Sequence, residues 1–216
     1  MEYFSRGIAL ILLFLLTPLI ILISVLCYFF QGRPLFFQQI RIGYKYKPFN
    51  IIKFKTMIEN SGSEITSYGD KRITKFGRIL RTTKFDEIPQ LINIIKGEMR
   101  FIGPRPEVEA YFNKDTFSFL KKIKPGISDF SSILLRNEDK ILASIGGVNP
   151  YDKLLPIKLT LADYYSRNKS FILDLKLVSL TIISIFFPKI SNNILYNIIQ
   201  KDELKEVMKF IRMHNY

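Results

Sequence analysis

Two adjacent carboxylates, Asp86 and Glu87, lie in a strongly basic stretch holding Arg72, Arg78, Arg81 and Lys84, with Arg105 a short distance beyond. Neighbouring cations lower a carboxylate pKa that already starts near about 4, so the pair is expected to stay ionised at neutral pH. A charged carboxylate in a field that attracts phosphate can attack a phosphoryl group, hold a divalent cation, or do both. The plainer reading is that acidic residues in a first helical turn offset the helix dipole by up to about 1 kcal/mol. Position alone favours that plainer reading.

Composition narrows the partners. The chain has 216 residues, a net charge of +13 and 48% hydrophobic residues. Such charge points to a polyanion, whether nucleic acid, anionic lipid headgroup or phosphorylated small molecule. The high apolar content favours a membrane-associated protein over a soluble nucleic-acid binder, so no nucleic-acid partner is expected. The single cysteine, Cys27, excludes an intrachain disulfide framework. The single histidine, His214, is expected to be a solvated tail residue, which excludes a Ser-His-Asp triad. Carboxylates, cations, hydroxyls or a metal must carry any chemistry.

The elements that would position the pair begin with an apolar run, Gly7 to Phe30, which contains no charged residue. As a straight helix of about two dozen residues it would reach roughly 36 Å, enough for a bilayer core of about 30 Å. Thr17-Pro18 interrupts it near the middle. Proline removes a helical hydrogen bond, and a threonine hydroxyl can bond a nearby carbonyl. A kinked spanning helix and a hairpin returning to the same face both fit. Basic residues on each side suit two cytoplasmic ends.

Residues 32–57 read as extended, with Ile52, Phe54 and Thr56 alternating with Lys53 and Lys55. The two lysines share a face that is either a solvated edge or a phosphate-facing surface. Glu59 to Gly69 has the composition of a flexible loop. Helical spacing of Ile73, Phe76, Ile79 and Leu80 leads to a second helix opening near Lys84 to Glu87. Pro89 is tolerated in its first turn, and Gly97 ends it. Gly103-Pro104-Arg105-Pro106 is a stiff turn, with Pro106 able to open another helix. Lys121, Lys122 and Lys124 beside aromatics suit the headgroup layer. Phe171 to Phe187 is too interrupted to span and reads as a core or interfacial helix. An amphipathic helical pattern runs from Ile194 to Met213.

At these residues the chain resembles the bacterial sugar transferases of the monotopic, minimal-core polyprenyl-phosphate phosphoglycosyl transferase type. The matching pieces occur in order: the Thr17-Pro18 break, Gln39-x-Arg41-x-Gly43, and Lys53-Phe54-Lys55-Thr56-Met57. Phe76-Gly77-Arg78-x-x-Arg81, Asp86-Glu87-x-Pro89-Gln90-Leu91, Gly103-Pro104-Arg105-Pro106 and Pro125-Gly126-Ile127 follow. Tyr164-Tyr165, Asn168, Ser170 and Asp174-Leu175-Lys176 close the series.

The resemblance implies transfer of a phospho-sugar from a UDP-sugar to polyprenyl (undecaprenyl) phosphate, releasing UMP and initiating membrane glycan assembly. It makes Asp86 the nucleophile, through an aspartyl phospho-sugar intermediate, with Glu87 assisting. Mg2+ would be the cofactor, with Asp86 its ligand. Phosphate contacts would come from Arg81 and Arg105, then Arg72 and Arg78, with Lys53, Lys55 and Arg136 as further candidates. The expected fold is a helix-rich α/β domain with a small sheet, a re-entrant membrane hairpin broken at Thr17 and Pro18, and interfacial amphipathic helices. It divides into an anchor (1–32), a catalytic domain (33–188) and a C-terminal peripheral helix (189–216). The implied location is the cytoplasmic face of the bacterial inner membrane, resting on the inner leaflet, with a homodimer left open.

One block departs from the family pattern. Ser128 to Asn137 keeps Arg136-Asn137 but lacks the usual tryptophan, glutamine and glycine, which puts substrate identity in question. Two rival readings predict different outcomes. A membrane-tethered basic adaptor would lose nothing on Asp86→Asn, and a glycosyltransferase moving only the sugar would release UDP.

Overall fold

The computed structural model describes residues 2–58, 69–199 and 204–214. The predicted loop at 59–69 therefore lies outside the described residues except for its last position.

The apolar run forms two helices, α1 (Glu2–Leu15) and α2 (Thr17–Gln31), bent by 60° at the break. Leu16 is the hinge, Pro18 stands in the first turn of α2, and the Thr17 hydroxyl donates to the Leu13 carbonyl at 2.9 Å. Proline fits there because a first-turn N–H has no helical acceptor. Among the described residues no single helix is long and apolar enough to cross a membrane.

Two strands follow, β1 (Phe36–Ile42) and β2 (Pro48–Phe54), antiparallel with Phe36 opposite Phe54 and Gln39 opposite Ile51. Helix α3 (Lys75–Thr83), a 3-10 turn (Phe85–Gln90) and α4 (Leu91–Lys96) come next. Short strands β3 (Arg100–Ile102) and β4 (Gly126–Ser128) form a second two-stranded sheet. The remainder is helical: α5 (Phe130–Leu134), α6 (Glu138–Ile145), α7 (Tyr151–Asn168), α8 (Phe171–Phe186), α9 (Pro188–Ile198) and α10 (Lys205–His214).

The chain forms two compact units. The first holds the N-terminal segment through β2, together with Lys71–Phe101 and Pro106–Ile127. Its interior has two apolar groups. Ala9, Ile51, Leu91, Ile94 and Met99 are packed by Leu12 and Leu13 of α1 and by Leu16 at the break. Ile23, Cys27, Phe54 and Leu80 are packed by Leu19 and Ile20 of α2. Arg41 clasps the end of the two-proline turn, donating to Glu107 Oε1 at 3.0 Å, while the Ile42 N–H donates to the Glu107 carbonyl. Pro106 therefore opens no helix. Glu107 is held in a strand-like bridge to Ile42, and only a 3-10 turn (Glu109–Tyr111) follows.

The second unit holds Ile102–Arg105 and the chain from Ser128 onward. The Tyr165 hydroxyl donates to Asp174 Oδ1 at 2.6 Å, and Ser170 caps α8 by accepting from the Leu173 N–H. Motif residues Tyr165, Ser170 and Asp174 thus set the α7–α8 corner. Helix α8 buries Leu177, Leu180 and Ser184, with Thr181 bonded to Ser128 and Ser184 to Arg136, and leaves Phe171, Ile172, Leu175, Ile182 and Phe186 exposed. His214 is not a free tail residue, because its Nδ1 lies 2.9 Å from the Ser144 hydroxyl.

Candidate active site

Asp86 and Glu87 open the 3-10 turn that follows α3, as their sequence position predicts. Lys84 ends α3 in the left-handed conformation, φ 62°, which reverses the chain without a glycine. Its carbonyl accepts from the Glu87 N–H at 3.2 Å, starting the new turn at once. Phe85 stays exposed while Asp86 and Glu87 are each only 7% exposed. Ile88 explains that depth: it packs against both apolar groups of the first unit. The carboxylate pair therefore sits where α1 and α2 meet the rest of this unit.

α3 is anchored to the same place. The Thr74 side chain accepts from the Gly77 N–H at 2.8 Å and donates to Gln31 Oε1 at 3.1 Å, joining the helix start to the end of α2. Gly77 lies so close to the Thr56 backbone that a Cβ would collide with it, so only glycine fits. Arg81 donates from Nε to the Thr56 hydroxyl at 2.9 Å, which aligns the last turn of α3.

Lys53 Nζ lies 3.3 Å from Glu87 Oε1, so this lysine enters the site. Lys55 instead donates to the Arg33 carbonyl at 3.2 Å and ties the segment after α2 to the end of β2. Lys53, Lys84 and Arg81 act on Asp86, and Lys84 joins the site although no phosphate contact was expected of it. Arg78 is exposed on α3, and the Arg72 carbonyl accepts from the Ile58 N–H. Arg105 and Arg136 belong to the second unit. There the Arg105 N–H donates to Asp129 Oδ2 and Arg136 donates to the Ser184 hydroxyl.

The cations do not set the balance at Asp86. Burial, and next the charge of Glu87, push the Asp86 carboxyl above the usual aspartate range. Lys53, Lys84 and Arg81 pull the other way and are outweighed. Desolvation removes the water that stabilises an anion, and a buried like charge next door adds to that loss. Asp86 Oδ1 has no protein hydrogen-bond partner. A buried carboxylate oxygen left unbonded is costly for stability and poised for an electrophile.

Among the described residues no three His, Cys, Asp or Glu side chains form a metal cage. A small hard cation that keeps several waters and shares phosphate oxygens needs only one or two carboxylates. Asp86, with its unbonded oxygen, fits that requirement.

Comparison with known proteins gives the family. The family profile described as bacterial sugar transferase matches residues 2–188. An uncharacterized sugar transferase of Bacillus subtilis, EpsL, is 36% identical over 154 residues, covering 70% of this chain and 69% of that protein. A UDP-N-acetylgalactosamine-undecaprenyl-phosphate N-acetylgalactosaminephosphotransferase of Aeromonas hydrophila is 31% identical and covers 78% of the chain. A UDP-glucose:undecaprenyl-phosphate glucose-1-phosphate transferase of Klebsiella pneumoniae is 32% identical and covers 83%. The chain spans 39% and 38% of the length of these last two relatives.

Proposed function

The chain belongs to the bacterial sugar transferase family, and from that premise we propose that it transfers a phospho-sugar from a UDP-sugar to undecaprenyl phosphate. The products are an undecaprenyl-diphosphate sugar and UMP, the first membrane step of a glycan such as an exopolysaccharide. The observation that carries this reading is Asp86, a buried carboxylate with an unbonded oxygen, set on a turn packed against both arms of an apolar hairpin.

An Asp86 oxygen attacks the phosphorus that carries the sugar. The bond from that phosphorus to the UMP oxygen breaks, and UMP leaves with the electron pair. A phosphate oxygen of the polyprenyl acceptor then attacks the same phosphorus and expels the carboxylate. No general base is needed for the first step, which suits a chain whose only histidine lies near its end. Lys53 and Arg81 supply positive charge beside the pair, and guanidinium forks match phosphate oxygens. Mg2+ held by Asp86 would neutralise charge on the diphosphate.

The hairpin is re-entrant in this proposal, with both ends on the cytoplasmic face. Support comes from its two ends touching the same unit. The Arg6 guanidinium sits where a Cβ on Gly97 would lie, and Gln31 accepts from Thr74. The outward apolar face of α8 rests in the inner leaflet. Tags before Glu2 and after Tyr216 should both be protected in sealed right-side-out vesicles; accessibility of one alone means a spanning helix.

The decisive assay incubates purified protein with UDP-sugars, Mg2+ and undecaprenyl phosphate, with Asp86→Asn alongside. UMP release, and a phospho-sugar adduct on Asp86 by mass spectrometry, are expected from the wild type alone. UDP release, or an adduct elsewhere, sinks the assignment.

A further inference from the structure

Three polar side chains lie three residues apart along the 3-10 turn and α4: Glu87, Gln90 and Asn93. All are buried, Gln90 and Asn93 completely. Glu87 meets Lys53. Asn93 is well satisfied: its Nδ2 donates to the Asn50 carbonyl and to Glu98 Oε2, each at 2.7 Å, and its Oδ1 accepts from the Ile52 N–H. That residue locks α4 to β2, and its burial needs no further cause.

Gln90 differs. Neither its Nε2 nor its Oε1 has a protein hydrogen-bond partner, although the residue is 0% exposed. A buried amide without partners costs stability, whereas a methionine of similar size would fill the space without that penalty. Stability of the resting fold therefore does not explain a glutamine here. One turn earlier is the other orphan of this segment, Asp86 Oδ1, an acceptor with no donor. Four residues separate them within one 3-10 turn, where Gln90 eclipses Glu87 and Asp86 stands about a third of a turn aside.

We propose that Gln90 is a positioning residue for the nucleophile: its Nε2 donates to Asp86 Oδ1 during the reaction and so holds Oδ2 toward the phosphorus. At rest the two groups are unbonded. The Gln90 amide swings across that offset to make the contact when the diphosphate arrives and Asp86 is drawn into its attacking orientation. The bond satisfies the orphan amide and fixes which carboxylate oxygen becomes the nucleophile. It also stabilises the charged form of Asp86 when that form is needed, since a donor to a carboxylate favours the anion. The inference rests on the reading of Asp86 as nucleophile.

The test compares full-length wild type and Gln90→Met in detergent. It measures UMP release at varied UDP-sugar, formation of the Asp86 adduct in a single turnover without acceptor, and the thermal midpoint. Gln90→Met should melt at or above the wild-type temperature. Its kcat should fall at least about tenfold with KM within about twofold, because the lost contact is made in the transition state rather than in ground-state binding. Adduct formation should slow by the same factor. A lower melting temperature would make Gln90 a packing residue and overturn the inference, as would undiminished kcat beside an active wild type. A wild type that releases no UMP sinks the nucleophile reading itself, and Gln90 falls with it.

Discussion

Two buried aspartates, one in each unit, show how differently a protein can treat the same side chain. Asp129 is 2% exposed and caps α5. Its oxygens accept from the Ser131 hydroxyl, the Ser132 N–H and hydroxyl, and the Arg105 N–H. Asp86 is 7% exposed, yet its Oδ1 accepts from nothing in the protein. The first carboxylate is surrounded by donors that were placed for it, as structural carboxylates are. The second is surrounded by apolar packing, a like charge and cations a little further off, which suits a group that must react. Burial alone distinguishes neither; the count of donors does.

Asp86→Asn should give the largest effect, because it removes the nucleophile. Turnover should drop by at least about a thousandfold, the scale at which loss of an essential group is felt. The fold should survive, since no protein hydrogen bond to Oδ1 is lost. A substantial residual rate in a variant that still folds would place the chemistry on another residue and dissolve the contrast.

Asp129→Ala should do the reverse. It leaves backbone and hydroxyl donors of the α5 cap and the Arg105 N–H without an acceptor. Loss of an N-cap and of hydrogen bonds to a charged group together cost about 2–4 kcal/mol. Chemical denaturation should show that loss in unfolding free energy. An unchanged midpoint would mean that Asp129 too is dispensable to stability, and that donor count is no guide.

The contrast was only partly readable beforehand. The Asp86-Glu87 pair opening a helical turn, the stop at Gly97 and the hinge at Thr17-Pro18 follow from local rules that act over a few residues. The depth of Asp86 does not. Counting nearby arginines and lysines predicts a lowered pKa, but Ile88 pulls the turn between two apolar groups brought together from distant segments. The same tertiary cause hides Gln90 and Asn93. They lie off the apolar stripe of Ile88, Leu91, Ile92 and Ile95, where helical periodicity assigns a residue to solvent, and β2 meets Asn93 on that face instead. A clue existed in the spacing, since Glu87, Gln90 and Asn93 form a polar row uncharged after its first member. Asp129 went unread as a cap, because five-residue α5 is too short for periodicity to reveal the helix it starts.

The smallest expected effect probes the electrostatics of Asp86 directly. Its folded pKa is raised, so between the ordinary aspartate range and that raised value the folded protein holds a proton that the unfolded chain has released. Stability is therefore fully present below the unfolded pKa, near about 4, and is lost as pH climbs through the folded value. An asparagine side chain cannot ionise, so the Asp86→Asn variant escapes that loss. With a chelator present, Asp86→Asn should melt above the wild type at pH about 7–8, and the gap should close as pH is lowered toward about 4. Asp129→Asn should show no such gain, because it replaces one acceptor oxygen of a carboxylate that four protein donors engage. If the Asp86→Asn advantage were the same at every pH, its origin would be packing rather than a buried charge short of donors, and the difference between the two aspartates would lose its electrostatic basis.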